Sequence, residues 1–414
     1  MTVSWTSKMT QGSFYGMLLV AVFLPVSTSL MSISYILAGF FAVISGAIWL
    51  HRQELLVHPV NVGLWLMVLM VLFGLTYSGS LADPSTWKLL KSYVWMILTP
   101  FLLVTIREDY QRRRILQAFL VVSAVILLIS LVKVLVGVVG GYHADPCVFR
   151  GRIVQSFFMS FACAAWLYLA ITRVQYRGWM IALFLLSSID IFLVDGRTGY
   201  VNWVVLIAFV LIAELSWRQC LFAALGCSLM IVGVVSVSPT FLNRVDQAVT
   251  QLESHVDKNE PDHATSVGIR VEQLSIGWHL LSQRPWFGFG TGGMKKAFST
   301  VSAETANQEF VVSENIRTDI TLVNVAVQHG FIGLLVILVF VGTLWGCSCA
   351  LSSEWRRLAQ CFVLSYCVAG LFNPFLISSF AVHYLSMMLV VFFGGYSRNA
   401  FVDHSESAEI PVTV

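Results

Sequence analysis

Three arginines in separate parts of the chain are the residues to which a chemistry can be assigned first. Arg197 lies in a tight turn between two apolar segments, Arg270 opens an amphipathic run, and Arg317 precedes another apolar segment. A guanidinium is permanently charged, and its planar donors match the oxygens of a phosphate or diphosphate. The alternative for each is an anchor at the headgroup layer of a membrane. Arg197 is the most strongly indicated, because Asp190 and Asp195 lie close to it and charges at membrane depth usually have a functional role.

A glycine-rich turn supplies a second group of candidates for anion binding. Gly290 and Gly292 flank Thr291, and Lys295 follows soon after. Such a turn can direct backbone amides at an anion, and a lysine adds positive charge. The turn lacks the lysine and the spacing of a nucleotide-binding P-loop. A simple flexible turn after Pro285 is the alternative.

The histidines and carboxylates give weaker indications. His329 lies in an apolar segment beside glycines, which favours helix packing over catalysis. His383 is expected only to line a cavity. The acidic stretch at 253–263 lacks a defined metal-ligand spacing, so a solvated connector is favoured there over a metal site. We therefore expect no metal and no other cofactor.

The composition indicates the elements that hold these residues. The chain has 414 residues, of which 57% are hydrophobic and 11% charged, whereas soluble domains have about 25% charged residues. The mild net charge of +3 and the absence of a lysine-rich tract argue against nucleic acid as a partner. Runs near the ~20 residues that a helix needs to cross a bilayer recur along the chain. We predict an all-α polytopic membrane protein with twelve spans, at 12–30, 33–50, 60–79, 90–106, 115–138, 153–172, 178–194, 198–215, 219–237, 320–347, 358–373 and 376–396.

The distribution of positive charge predicts the orientation. With the N-terminus in the cytoplasm, the cytoplasmic turns carry ten basic residues, which are Arg52, Arg107, Arg112, Arg113, Arg114, Arg173, Arg177, Arg218, Arg356 and Arg357. The opposite short loops carry Lys88, Lys91, Arg150, Arg152 and Arg197. The positive-inside rule then places both termini inside. Arg150 and Arg152 lie on the outer side with Arg197 and become candidates for substrate binding.

One long polar segment, at 239–319, interrupts the spans. It is too long for a connector and is therefore expected to be functional. Apolar residues recur at helical spacing from Phe241 to Leu252 and from Val271 to Leu281, which predicts two short helices. We divide the chain into spans one to nine at 1–238, an outer loop at 239–319 that roofs the site, spans ten to twelve at 320–397, and a cytoplasmic tail at 398–414.

Three stretches in this order resemble the O-antigen ligase and polymerase superfamily. They are Gly196-Arg197-Thr198-Gly199-Tyr200, then Ile269-Arg270 followed by Arg284-Pro285-Trp286-Phe287-Gly288-Phe289-Gly290-Thr291-Gly292, and then Val325-Ala326-Val327-Gln328-His329-Gly330-Phe331-Ile332-Gly333. The resemblance extends over roughly residues 190 to 395. It implies a GT-C type glycosyltransferase with one large periplasmic loop, located in a Gram-negative inner membrane with its active site facing the periplasm.

The resemblance also implies substrates and roles. Ligases of this kind transfer a glycan from an undecaprenyl-diphosphate carrier to the sugar of lipid A–core, without a metal, whereas polymerases use a second glycan as acceptor. The family arginines thought to hold the diphosphate are matched by Arg197 and Arg270. The ligases usually carry a histidine eleven residues before the glycine matched by Gly330, where this chain has Asp319, and Arg317 lies two residues earlier. This departure weakens the ligase assignment relative to the polymerases.

A mechanism follows for a site without a nucleotide supply. The donor must arrive already activated, and a lipid-linked diphosphate meets that need within the membrane. Arg197 and Arg270 would stabilise the departing diphosphate, and Asp319 would take the proton of the acceptor hydroxyl. Direct attack predicts inversion at the anomeric carbon. The alternatives are that Asp319 is only a helix N-cap and that the protein is a lipid-glycan transporter, which internal repeats would favour and which the lack of a repeat disfavours.

Overall fold

The computed structural model describes residues 3–140, 145–194, 196–237, 266–304 and 320–396, and within them it contains helices and no strand. Numbered in chain order, the helices are α1 (Val3–Phe23), α2 (Thr28–Ile44), α3 (Ala47–Leu50), α4 (Arg52–Val57), α5 (Pro59–Ser78), α6 (Pro84–Thr105), α7 (Asp109–Gly140), α8 (Arg152–Thr172), α9 (Arg177–Leu193), α10 (Arg197–Glu214), α11 (Trp217–Val237), α12 (Ser266–Gln283), α13 (Met294–Glu304), α14 (Thr321–Cys349), α15 (Ser353–Gly370) and α16 (Ser379–Phe393).

Each of the twelve predicted spans coincides over most of its length with one helix, namely α1, α2, α5 to α11 and α14 to α16. Among the described helices, six are long and apolar enough to cross a bilayer. They are α5, α6, α7, α8, α10 and α14. Two shorter ones, α2 and α16, are also apolar. The chain is therefore an all-helical, multi-pass membrane protein, and the count of twelve spans stays a prediction.

The core of the bundle is built around α16. Its residues from Ala381 to Phe393 are all buried, and α16 packs against α6 and α7. The ring of Tyr384 lies 5.0 Å from that of Phe158 and 5.1 Å from that of Phe157. Aromatic contacts of this kind add to the stabilisation from burial. They hold α8 and α16 together near the end of the bundle at which α8 begins.

Ion pairs join the connections that carry the ten basic residues named above, at one end of the bundle that we call the basic end. There the helix ends are tied by ion pairs, such as that of Arg113 with Glu354 at 2.7 Å and that of Arg107 with Glu54 at 2.7 Å. Arg173 also pairs with Glu354. Arg112 donates to the carbonyls of the last turn of α16, which complements the helix dipole. The loops between α6 and α7, α8 and α9, and α14 and α15 are thereby joined.

The described part of the segment at 239–319 consists of α12 and α13, which pack on the first half of α14. These elements share a small apolar cluster that includes Leu280, Phe298 and Val327. The helix predicted over Val271–Leu281 is confirmed as part of α12. The helix predicted from Phe241 lies outside the described residues, and α13 was not foreseen.

Candidate active site

The predicted site residues fall at the end of the bundle opposite the basic end. Arg197 is the first residue of α10, Arg270 lies in α12, and Gly290 and Gly292 lie in the turn that leads into α13. Lys295 lies in the first turn of α13. Arg317 and Asp319 are outside the described residues, which resume at Ile320, immediately before α14.

The turn between α15 and α16, at 371–378, is where three of the predicted elements meet. The Nη2 of Arg270 donates to the carbonyl oxygen of Phe372 at 3.4 Å. Asn373 donates from Nδ2 to Oγ1 of Thr198 at 3.2 Å. Its carbonyl accepts from Oγ1 of Thr321 at 2.6 Å. The start of α10, the start of α12 and the start of α14 therefore converge on one turn.

Asn373 was not identified from the sequence, although a local feature marked its turn. Asn373 and Pro374 form an Asn-Pro pair between two apolar segments, and such pairs favour turns. Nothing local shows that its side chain reaches Thr198, which lies 175 residues earlier. Asn373, Thr198 and Thr321 are all buried, so their hydrogen bonds fix the geometry of this region.

Not every N–H donor of Arg270 is hydrogen-bonded to a residue that the structure describes. Its side chain is half-buried, and its Nε is buried without a hydrogen-bond partner in the part of the chain that the structure describes. The one bond from Nη2 is long, at 3.4 Å. A guanidinium carries five N–H donors, so Arg270 can still bind an anion bidentately.

Arg197 is positioned by the close approach of α10 to α8. A Cβ at Gly196 would lie 2.7 Å from Oγ of Ser156, and Gly199 also packs on Ser156. Small residues allow helices to approach in this way. The two glycines of the Gly196–Tyr200 motif therefore bring the start of α10 against α8, while Thr198 binds the turn at 371–378.

The predicted pair Arg150 and Arg152 divides between two places. The carbonyl of Arg152 lies 3.3 Å from a Cβ built at Gly196, so Arg152 is beside the turn that carries Arg197, and it pairs with Asp145 at 3.8 Å. Arg150 instead donates to the carbonyl of Leu24 at 3.1 Å, and burial lowers its pKa. Of Arg150 and Arg152, it is Arg152 that lies closer to the turn carrying Arg197.

The glycine-rich turn binds the protein itself. The amide of Gly290 donates to the carbonyl of Gln328 at 2.8 Å, and that of Gly292 donates to Oε1 of Gln328 at 2.8 Å. The amide of Thr291 donates to the carbonyl of Gly74 at 3.1 Å. An anion could use these amides only by displacing existing bonds. The role of Gly290 and Gly292 in substrate binding stays a prediction, and in this structure their amides hold the turn against α14.

The partner of this turn is a break in α14. Gly330 has φ 63° and ψ −156°, a backbone conformation that is essentially restricted to glycine. The helix bonds lost there are replaced by the turn, because the amide of Phe331 donates to the carbonyl of Pro285 at 2.7 Å and that of Ile332 to the carbonyl of Trp286 at 3.3 Å. Backbone groups at membrane depth must be satisfied inside the protein, and the turn meets that requirement.

The remaining candidates have varied surroundings. His329 is buried in α14 against Gly74, which agrees with helix packing. Asp190 is buried and accepts a hydrogen bond from Ser130. The pKa of Asp83 is lowered, mainly because its carboxylate accepts a hydrogen bond from the amide of Ser85. The positive charge of Lys295 adds to this effect.

An apolar groove of about 550 Å³ begins at the same place. It starts at Thr321 and Leu371, beside the turn at 371–378, and continues between α14 and α15 past Leu335 and Leu338. Leu335 and Leu338 are among its exposed side chains. The region therefore combines a basic group at its mouth with an apolar channel along the helices, which is suited to a lipid that carries an anionic headgroup.

Comparison with known proteins identifies part of the chain. Residues 182–338 match the family model described as O-Antigen ligase, so the resemblance drawn from the sequence is confirmed over that range. The matched range contains Arg197, Arg270, the glycine-rich turn and the break in α14, whereas Asn373 lies beyond it. A comparison with curated proteins gives no significant match for the chain.

Proposed function

We propose, from the match of residues 182–338 to the O-antigen ligase family model, that the protein is a membrane glycosyltransferase that uses a lipid-linked glycan as donor. In its specific form, it moves a glycan from undecaprenyl diphosphate to the sugar of lipid A–core. The observation that carries the proposal is the convergence of α10, α12 and α14 on the turn at 371–378, at the mouth of an apolar groove.

The donor is proposed to bind with its two chemical parts separated. The diphosphate lies against the guanidiniums of Arg197 and Arg270, and the isoprenoid chain lies in the groove between α14 and α15. Arg152 and Arg317 stay proposed contacts of the substrate. Bidentate guanidinium contacts favour the diphosphate over a neutral group, and apolar side chains solvate the hydrocarbon. Lys295 stays a proposed contact of the anionic substrate.

The reaction needs one proton acceptor and charge stabilisation. The acceptor oxygen attacks the anomeric carbon as the bond from that carbon to the diphosphate oxygen breaks, and the pair of electrons leaves with the diphosphate. The proton of the acceptor hydroxyl passes to the carboxylate of Asp319, which precedes Thr321 by two residues. Arg197 and Arg270 stabilise the charge that develops on the leaving group. The product is inverted at the anomeric carbon.

The orientation is proposed from the charge distribution. The ten basic residues lie at the end of the bundle opposite the site, and the positive-inside rule puts that end in the cytoplasm. With twelve spans, both termini are then cytoplasmic, and the site opens to the periplasm of the inner membrane.

A polymerase is the second candidate, because Asp319 stands where the ligases usually have histidine. The lipopolysaccharide profile of a deletion strain separates the two functions. Loss of all capped chains indicates the ligase, whereas chains capped with a single repeat indicate the polymerase. Glycan transfer by the purified protein in detergent tests the shared proposal against a transporter, since transport requires a sealed membrane and transfer does not.

A further inference from the structure

A cavity of about 880 Å³, lined largely by polar residues, lies at the basic end, away from the candidate active site. It is bounded by the first turns of α1, the turn at Gly46 between α2 and α3, and the start of α7. The Nε1 of Trp5 donates to the carbonyl of Ile44 at 3.3 Å, which fixes the start of α1 against the end of α2. The cavity is therefore formed by three elements of the bundle.

Gln111 gives the first indication of a ligand. Its side chain lines the cavity and only 6% of the residue is exposed. Its Oε1 is buried without a hydrogen-bond partner among the residues that the structure describes. Burying an acceptor without a donor is unfavourable. Rotation of the Gln111 amide towards the cavity would let a ligand donate a hydrogen bond to this oxygen and remove that cost.

The other lining groups indicate what kind of ligand fits. They comprise a carboxylate, a second amide, three hydroxyls and an exposed tryptophan, which are Glu108, Gln11, Thr6, Ser7, Thr10 and Trp49. Among the residues that the structure describes, no Lys, Arg or His lines the cavity. The base next to Glu108 in the chain, Arg107, is paired with Glu54 at 2.7 Å. An anionic ligand thus finds no counter-charge among these groups.

Sugar hydroxyls suit this set of side chains. Each hydroxyl donates one hydrogen bond and accepts others, so amides, hydroxyls and a carboxylate can all be satisfied by the same ligand. The ring of Trp49 is 75% exposed and offers an apolar face with a polar edge at the mouth. Pockets with a few convergent polar groups are the usual form of small-molecule sites.

We propose that this cavity is a second binding site, for the neutral hydroxyl groups of a sugar, separate from the glycan-transfer site. The sugar comes either from a soluble saccharide or from the headgroup of a glycolipid at the membrane surface. The proposal does not depend on the function proposed above, because it uses none of the residues of the transfer site.

The test uses the full chain in nanodiscs of phosphatidylcholine. Native mass spectrometry measures binding of maltose, of dodecyl maltoside and of ethanolamine to the wild type, Gln111→Leu and Glu108→Gln. The matched control is Gln53→Leu, an exposed glutamine at the same end that does not line the cavity. We expect Gln111→Leu and Glu108→Gln each to weaken saccharide binding about ten-fold or more, while Gln53→Leu binds like the wild type.

The probes distinguish the sources. Binding of maltose supports a soluble saccharide, and binding of dodecyl maltoside alone supports a glycolipid headgroup. The proposal is overturned if neither maltoside binds, if ethanolamine binds instead, or if binding survives both cavity substitutions. Thermal unfolding of Gln111→Leu should show no loss of Tm, because the substitution removes an unpaired acceptor, and Glu108→Gln provides the readout should that variant misfold. Glycan transfer by either variant should be unchanged.

Discussion

Substituting Gly330 with alanine tests whether the glycine-rich turn stabilises the break in α14. The residue lies at φ 63° and ψ −156°, where a side chain adds strain of about 1–3 kcal/mol. The new Cβ would lie 2.5 Å from the carbonyl oxygens of Pro285 and Trp286. The turn must move away, which sacrifices its two bonds to Phe331 and Ile332, at about 1 kcal/mol each. Together these effects predict a destabilisation of about 3–5 kcal/mol.

The same helix provides the control. A Cβ at Gly342 meets no atom within 4 Å, and alanine is the better helix former, so Gly342→Ala should be neutral or stabilising by up to about 1 kcal/mol. Both variants and the wild type are compared by thermal unfolding in the same detergent and by glycan transfer. Gly330→Ala should lower Tm and activity together, because the glycine-rich turn loses its anchor on α14. Equal Tm values for the two alanine variants would show that the turn does not hold the break.

Further predictions concern the proposed site and the orientation. Arg270→Lys should lose most glycan transfer at unchanged Tm, because a lysine cannot make the bidentate contact, whereas Arg356→Lys at the basic end should be nearly silent; equal activities would make Arg270 only an interfacial anchor. Asp319→Asn keeps an oxygen that can cap a helix but loses the base, so glycan transfer should fall about 10²–10⁴-fold while the protein still folds. A near wild-type rate would mean that another group accepts the proton. An impermeant maleimide should react slowly with Cys147 in spheroplasts, and faster as the pH rises, because burial and the neighbouring Asp145 raise its pKa to about 12. Arg114→Cys should be labelled only after permeabilisation, and labelling in intact spheroplasts would reverse the orientation.

The helices could be predicted well because apolar runs of spanning length have few other structures available to them. Their ends were less predictable. The first span was expected to begin at residue 12, but α1 begins at Val3, since polar residues such as Lys8 and Gln11 form helix as readily as apolar ones. Apolar content therefore marks where a helix meets lipid and not where it starts.

The site was predictable in its residue types and less so in its connections. Arg197 and Arg270 were chosen for their charge, and the structure brings the starts of their helices to one turn. The contribution of Asn373 depends on a contact over 175 residues, which no local pattern contains. The attachment of the glycine-rich turn could not be predicted for the same reason, since the acceptors of its amides lie on α5 and α14.

The attachment of the glycine-rich turn has a consequence for engineering the protein. Residues 285–293 pack against Gly74 on α5 and against the break at Gly330 on α14. A chimera that receives only the outer loop of another protein matching the same family model would separate the turn from both anchors. To change the proposed acceptor preference by recombination, we expect that three pieces of chain must be exchanged together. They are the end of α5, the outer loop and the first half of α14.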